Sequence, residues 1–370
     1  MRIGMMVRTI DEKQGIGIYT LNLLDNLFQI DQRNEYVLFF RRSTSLGRYA
    51  RYPNVKEELV RFPSKLLWDQ LAMLWMIRKH KLDVLFNTKF TVPLLARCPT
   101  IMVLHGSEWY VFPHHYSYLD IQYVKVMMPR YLKKAGLVLS VSECAKNDMV
   151  KYARADPQKI LTIYLGYNHQ FRVIKDEYYL NEIRHKHDLP EQFILFVGRI
   201  YPGKNIGNLI KAYSKITKYV PHKLLLVGGT RWKYRKDLNL IGDLGIQNKV
   251  ILREWVEPEE LPAFYNLADL LAFPSWYESC PVPPWEAMAC GCPVVTTKTG
   301  GTHEVVGDAA MFVDPSDPNS IADGLLNVLT DNELRGFLVR EGFKQIKKFC
   351  WKKCARETLD ALMSLENSVQ

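Results

Sequence analysis

The chain has 370 residues, 48% of them hydrophobic and 24% charged, which suits two globular domains and excludes disordered, collagen-like and coiled-coil classes. No apolar run reaches the ~18–20 residues a membrane span needs, and Met1–Arg8 is too short and too soon charged for a signal peptide. The net charge of +10 is lopsided: residues 1–175 hold 26 Lys+Arg against 14 Asp+Glu, and the remainder 23 against 25.

The first half alternates strand and helix. Arg2–Thr9 is an apolar run, and Gly15–Gln29 has helical spacing through Ile18, Leu21, Leu24 and Phe28. Tyr36–Phe40 reads as a buried strand, and Leu66–His80 as a helix with apolar positions at 67, 71, 74 and 77. Asp83–Asn87, Thr100–His105 and Leu137–Val141 are further short runs rich in Val, Ile and Leu. Such runs between helices predict a parallel sheet covered on both faces. A seam falls near residues 167–192, after which strands at Phe193–Gly198 and Lys223–Gly228 flank a helix at Ile206–Tyr219. Lys249–Leu252, Leu270–Phe273 and Pro293–Thr297 continue the pattern, with short helices at Pro258–Asn266 and Pro284–Cys290. Ser320–Leu365 reads as helical throughout. The seven cysteines have no C-x-x-C spacing and read as free thiols in a reducing compartment, so the protein is expected in the cytoplasm.

Three glycine-rich loops carry the chemistry. Gly15 and Gly17 open the first helix and brush against G-x-G-x-x-G, but Thr20 holds the third glycine position and Arg41-Arg42, not an acid, closes the second strand. An NADP-linked oxidoreductase is therefore a weak alternative; an amide-lined loop for an anion or a sugar is the better reading. Gly198–Asn205 matches G-x-x-x-x-G-K with Asn205 in place of the magnesium-binding Ser or Thr, and Pro202 removes an amide. Arg199 and Lys204 at a strand end still make a metal-free diphosphate site. In the third loop, Ser275–Pro293, Pro284 is placed to start a helix with Glu286 in its first turn, while Glu278 precedes the helix beside two aromatics. Two carboxylates eight residues apart can grip different parts of one ligand.

Glu278…Glu286 followed by Ala-Met-Ala-Cys-Gly-Cys-Pro-Val-Val resembles the E-x7-E signature of the large family of retaining nucleotide-sugar glycosyltransferases with the GT-B fold, the family 4 type. Val197-Gly198-Arg199 with Lys204 resembles its diphosphate loop, Gly300–Asp308 its G-G-x-x-E-V-V stretch, and Phe349-Cys350-Trp351 the F-S-W that opens its last helix. The resemblance spans nearly the whole chain and is most specific across 193–320.

It implies two Rossmann-like domains facing each other across a cleft. Residues 1–172, with a final helix at about 352–370 crossing back, would take the acceptor, and residues 173–351 the nucleotide-sugar. No D-x-D occurs, consistent with metal-free chemistry and no cofactor beyond the donor substrate. By resemblance, Arg199 and Lys204 neutralise the leaving diphosphate, aided by the helix N-terminus near 281–284; Glu278 bonds donor-sugar hydroxyls; Glu286 holds the ribose. His105 ends a strand where the family places a sugar-contacting His. The segment Arg253–Glu257, with Val256, would lie beside the base, and Cys280, Pro281 and Val282 beside sugar and phosphate. The family's E-G-F-G-L-P is altered here: Ser279, Cys280 and Pro281 replace Gly-Phe-Gly, and Pro281 donates no amide. UDP is the favoured base and GDP the second, with a GDP-mannose-type mannosyltransferase or a non-catalytic nucleotide-sugar binder as alternatives. The basic first half lacks a nucleic-acid module and favours a saccharide or lipid-linked acceptor in polysaccharide biosynthesis, with peripheral membrane contact through Arg41, Arg42, Arg48, Arg51 and the Trp68–Trp75 region.

Overall fold

A computed structural model describes residues 1–12, 15–231 and 233–365. The chain divides into two compact units, Met1–Gly166 with the segment from Phe349 onward, and Tyr167–Lys348. Each is a doubly wound α/β unit.

In the first unit the strands are β1 (Arg2–Met6), β2 (Glu35–Phe40), β3 (Val55–Leu59), β4 (Val84–Asn87), β5 (Thr100–Leu104), β6 (Leu137–Ser140) and β7 (Ile160–Thr162). All pairings are parallel, in the order β3-β2-β1-β4-β5-β6-β7. Central strands such as β5 are buried at every residue, as a sheet covered on both faces requires. On one face, the helix Ile16–Ile30 packs against the last helix, Trp351–Ser364, and Tyr19 meets Trp351 edge-on at 5.9 Å. The sequence pattern did not single out β3, whose Val-Lys-Glu-Glu-Leu is an edge strand of mixed polarity, or the helix Tyr118–Lys134, whose pattern Pro129 interrupts.

The Leu66–His80 reading needs a correction of phase. The segment is helical, but Trp68–Ala72 is a π turn in which the Met73 N–H donates to the Trp68 carbonyl five residues back. That wider turn buries Trp68, Ala72, Met73, Met76 and Ile77 and leaves Leu67 and Leu71 exposed. Trp68 is therefore core, its Nε1 donating to the Val60 carbonyl at 2.8 Å, and not a surface contact.

The second unit holds β8 (Phe193–Val197), β9 (Lys223–Val227), β10 (Val250–Arg253), β11 (Leu270–Phe273), β12 (Val294–Thr296) and β13 (Met311–Phe312), again parallel, in the order β10-β9-β8-β11-β12-β13. Strand order reverses between β1 and β4 in the first unit and between β8 and β11 in the second. Open α/β sheets bind ligands at such switch points, beyond the carboxyl ends of the strands. The region 320–365 is three helices, Pro318–Thr330, Asn332–Ile346 and Trp351–Ser364, rather than one continuous run. Asp331 breaks it by capping the second, its Oδ1 accepting from the Leu334 N–H at 2.9 Å.

Candidate functional site

The second unit's site assembles at its switch point. β8 runs out through Gly198, whose φ of 151° few side chains adopt. Gly228, ending β9, comes so close that a Cβ there would sit 2.0 Å from the Gly198 carbonyl oxygen. Beyond exposed Arg199, Pro202–Lys204 forms one 3₁₀ turn and leads into the helix Ile206–Ile216. Buried Asn205 stitches this loop to its neighbours: its Nδ2 donates to the Pro274 carbonyl at 3.0 Å and the Pro315 carbonyl at 2.7 Å. The Trp276 N–H donates to the Gly203 carbonyl at 3.0 Å. The loops after β8 and β11 are thereby locked together.

That lock brings Lys204 and Glu278 into contact, Nζ to Oε1 at 2.5 Å, with side chains only 13% and 12% exposed. The ammonium also lies 4.8 Å from the centre of the Phe273 ring. Glu278 is held from behind by the double glycine: the Gly301 N–H donates to its carbonyl at 2.7 Å. A Cβ on Gly300, at φ 62°, would fall 2.2 Å from that same oxygen.

Glu286 lies on the next helix, and here the sequence reading is corrected. The helix begins at Val282, not Pro284, so Glu286 sits beyond the first turn and owes nothing to its positive end. With prolines at 281, 283 and 284, Val282 supplies the single backbone donor across 281–284. Glu286 is instead set by Tyr265, whose hydroxyl donates to its Oε2 at 2.7 Å. Burial pushes its carboxyl up to about 7, with the tyrosine bond pulling the other way. Val256 is buried just past the end of β10, and Cys280 and Val282 are half-buried at the mouth of the helix.

In the first unit, His105 leaves the end of β5. Its Nε2 donates to the Thr88 carbonyl at 2.7 Å, and its ring stands edge-on to Tyr19 at 4.7 Å. Burial, seconded by the charge of Lys89, drives the imidazole down to about 4, so it is neutral in the physiological range with Nδ1 as an acceptor. Gly15 caps the first helix at φ 54°. Gly17 is a packing glycine: a Cβ there would fall 1.8 Å from the Glu12 carbonyl oxygen. Thr20 is buried, bonded to Thr88 between hydroxyls at 2.9 Å.

Sequence reasoning passed over Lys89, which burial holds below the usual lysine range, and a buried ion pair at the end of β1. There Arg8 makes two bonds to Asp69, at 2.8 and 3.0 Å, while the Thr91 hydroxyl donates to Asp69 at 2.8 Å. One acid inside the apolar run Leu66–Ile77 was the available signal. Of the basic residues offered for surface contact, Arg48 pairs with Asp25 at 3.1 Å, and Arg51 lies 5.0 Å over the Tyr52 ring.

Residues 14–171 match the family described as Glycosyltransferase Family 4, and residues 181–345 the one described as Glycosyl transferases group 1. An uncharacterized glycosyltransferase of Methanocaldococcus jannaschii is 30% identical over 275 residues, covering 72% of this chain and 69% of its own. The chain belongs to glycosyltransferase family 4. This family-4 glycosyltransferase is also 26% identical over 367 residues to an O-antigen chain mannosyltransferase B of Escherichia coli, covering 94% and 95% of the two chains. Its GT-B fold is shared with the sucrose-phosphate synthase of Thermosynechococcus elongatus, at a TM-score of 0.79 and 19% identity over the whole of both chains. The Anabaena protein HepE, solved in complex with UDP-glucose, gives 0.77 at 19% identity, covering 98% of this chain and 100% of its own.

Proposed function

We propose that this glycosyltransferase moves a hexose, with retention and without a metal, from a nucleotide-sugar to a glycan or lipid-linked saccharide in polysaccharide or glycoconjugate biosynthesis. The observation carrying the reading is the Lys204–Glu278 pair at the β8/β11 switch point, an ammonium for phosphate beside a carboxylate for sugar hydroxyls. Arg199 and Lys204 take the diphosphate charge; Glu278 orients the donor sugar; Glu286 accepts from the ribose hydroxyls; neutral His105 contacts the donor sugar and is no nucleophile. The sugar C1–phosphate oxygen bond breaks to an oxocarbenium-like centre, and an acceptor oxygen bonds C1 from the same face. Its proton passes to the departing phosphate oxygen, leaving the protein to supply position and charge.

A UDP-sugar is the favoured donor. GDP-mannose is the second reading, favoured by the mannosyltransferase aligned along nearly the whole chain. The deciding measurement is the melting temperature with UDP, GDP, ADP and NADP, each with EDTA. A nucleotide at a hundred times its dissociation constant stabilises by about 2.7 kcal/mol. A shift with one nucleoside diphosphate under EDTA supports the reading and selects the base, and a shift with NADP alone overturns it. Near-normal turnover in both Arg199→Ala and Lys204→Ala would sink the diphosphate assignment. We also propose peripheral membrane contact through the basic first half; among the described residues no helix is long and apolar enough to cross a bilayer.

A further inference from the structure

The switch point of the first unit lies between β1 and β4, and the chain that leaves β4 there, Thr88–Thr91, is pinned from several sides. Asn87 Nδ2 donates to the Thr91 carbonyl at 2.7 Å and to its hydroxyl at 2.8 Å, while Asn87 Oδ1 accepts from the Lys89 N–H at 3.1 Å. The Thr88 hydroxyl accepts from Thr20, and its carbonyl accepts from His105. Thr91 in turn donates to Asp69, and both Asp69 oxygens are already bonded to Arg8. Arg8 and Asp69 thus neutralise each other at the root of the loop.

One cation in this loop has no such counterpart. Lys89 is half-buried, and among the described residues its ammonium makes no ion pair and no hydrogen bond. The charges around it are Arg8 and Lys65, of its own sign, Asp69, which Arg8 occupies, and Glu12, which is exposed. Its Nζ lies 5.4 Å from the centre of the Phe90 ring, and Phe90 leans on Trp109 with ring centres 5.1 Å apart. A ring face at that range gives an ammonium a fraction of what a carboxylate would. Withdrawing a charge from water without a partner is costly, and a fold that keeps such a group in a ligand-binding position leaves the counter-charge to the ligand. The position is of that kind. Lys89 follows β4 and His105 follows the neighbouring β5, close enough that the lysine's charge is felt at the imidazole.

We infer that Lys89 binds an anionic group, phosphate or carboxylate, carried by the acceptor saccharide, and so selects acidic or phosphorylated acceptors over neutral ones. This deepens the proposed function and rests on its assignment of the acceptor to the first unit. An anion brought to Lys89 completes an ion pair that the fold leaves open, whereas a neutral sugar leaves the ammonium unpaired, so the discrimination needs no steric clash. Arg8 cannot substitute, because its two bonds to Asp69 hold it. The bonds through Asn87, Thr88 and Thr91 fix the backbone from which Lys89 reaches.

Two measurements on the full chain test this, and neither uses a donor, so failure here is separate from failure of the nucleotide melts. The first is reductive methylation read lysine by lysine in a mass spectrometer, at matched ionic strength, with glucose 6-phosphate, glucuronate or glucose present. Lys89 should be modified in the free chain and slowed about tenfold or more by a saturating anionic sugar, with glucose giving no protection. Protection by glucose 6-phosphate alone assigns a phosphate, and protection by glucuronate alone a carboxylate. Because the reading is taken at Lys89 itself, phosphate bound at Arg199 and Lys204 does not enter it. The second is the melting temperature of Lys89→Met without ligand. Removing a charge that the fold does not compensate should raise it by about 2–4 °C, whereas a lysine kept for structure would lower it when lost. A Lys89 that resists methylation in the free chain, equal protection by glucose and the anionic sugars, no protection by any of them, or a Lys89→Met chain that melts no higher than wild type would overturn the inference.

Discussion

Lys204 and Glu278 satisfy one another before any ligand is considered, and this makes their single substitutions unequal. Lys204→Ala removes a phosphate donor and leaves a largely buried carboxylate without its counter-charge. Turnover should fall by roughly 10²–10³-fold, the usual cost of one well-placed donor, and single-turnover kinetics would read it. Glu286 makes a prediction of opposite sign on stability. Its carboxyl is raised to about 7 in the folded chain, against an ordinary value of 4.5. The folded state therefore binds the extra proton between those values, and stability is lost as pH rises through 7. Glu286→Gln should raise the melting temperature at pH 8 and barely change it at pH 5. If the ribose needs an ionised acceptor, wild-type donor affinity should rise from pH 6 to 8, and Glu286→Gln should flatten that dependence in a calorimetric titration.

At the scale of elements, the double glycine after β12 acts through backbone. Gly300→Ala would force a Cβ to 2.2 Å from the Glu278 carbonyl at a φ of 62°. We expect it to lose turnover as Glu278→Ala does, with a destabilisation of about 1–3 kcal/mol in a urea melt. Asp69→Ala would strand Arg8 in the core and should cost about 3–5 kcal/mol. The alternation of Val-, Ile- and Leu-rich runs made both sheets legible, because strands buried on both faces read as continuous apolar segments. The family resemblance assigned Lys204 and Glu278 to one donor, and the structure pairs the two side chains although they are 74 residues apart. What escaped was phase and cooperation. An α-helical period cannot register the π turn at Trp68–Ala72, so Leu67 and Leu71 looked like core positions. Three prolines hid the start of the helix at Val282, and Glu286 was credited to a helix end when Tyr265 holds it. Edge strand β3 was invisible because its Lys56 and Glu57 carry the polarity of a loop.

For the whole molecule, the division into units assigns the last helix to the first unit, where Trp351, Leu359 and Leu362 are buried. A chain ending at Lys348 should lose stability in the first unit while keeping a nucleotide-induced shift in the second; two resolved calorimetric transitions would show it. The second unit is thus an insertion within the first. On the ribosome, everything up to Gly166 emerges without its closing helix and waits while Tyr167–Lys348 is made. The apolar face of the helix Ile16–Ile30 is uncovered for that interval, so the first unit begins synthesis first and finishes folding last. Chaperone demand should fall on its nascent chains, and a circular permutant that places Phe349–Leu365 ahead of Met1 should relieve it.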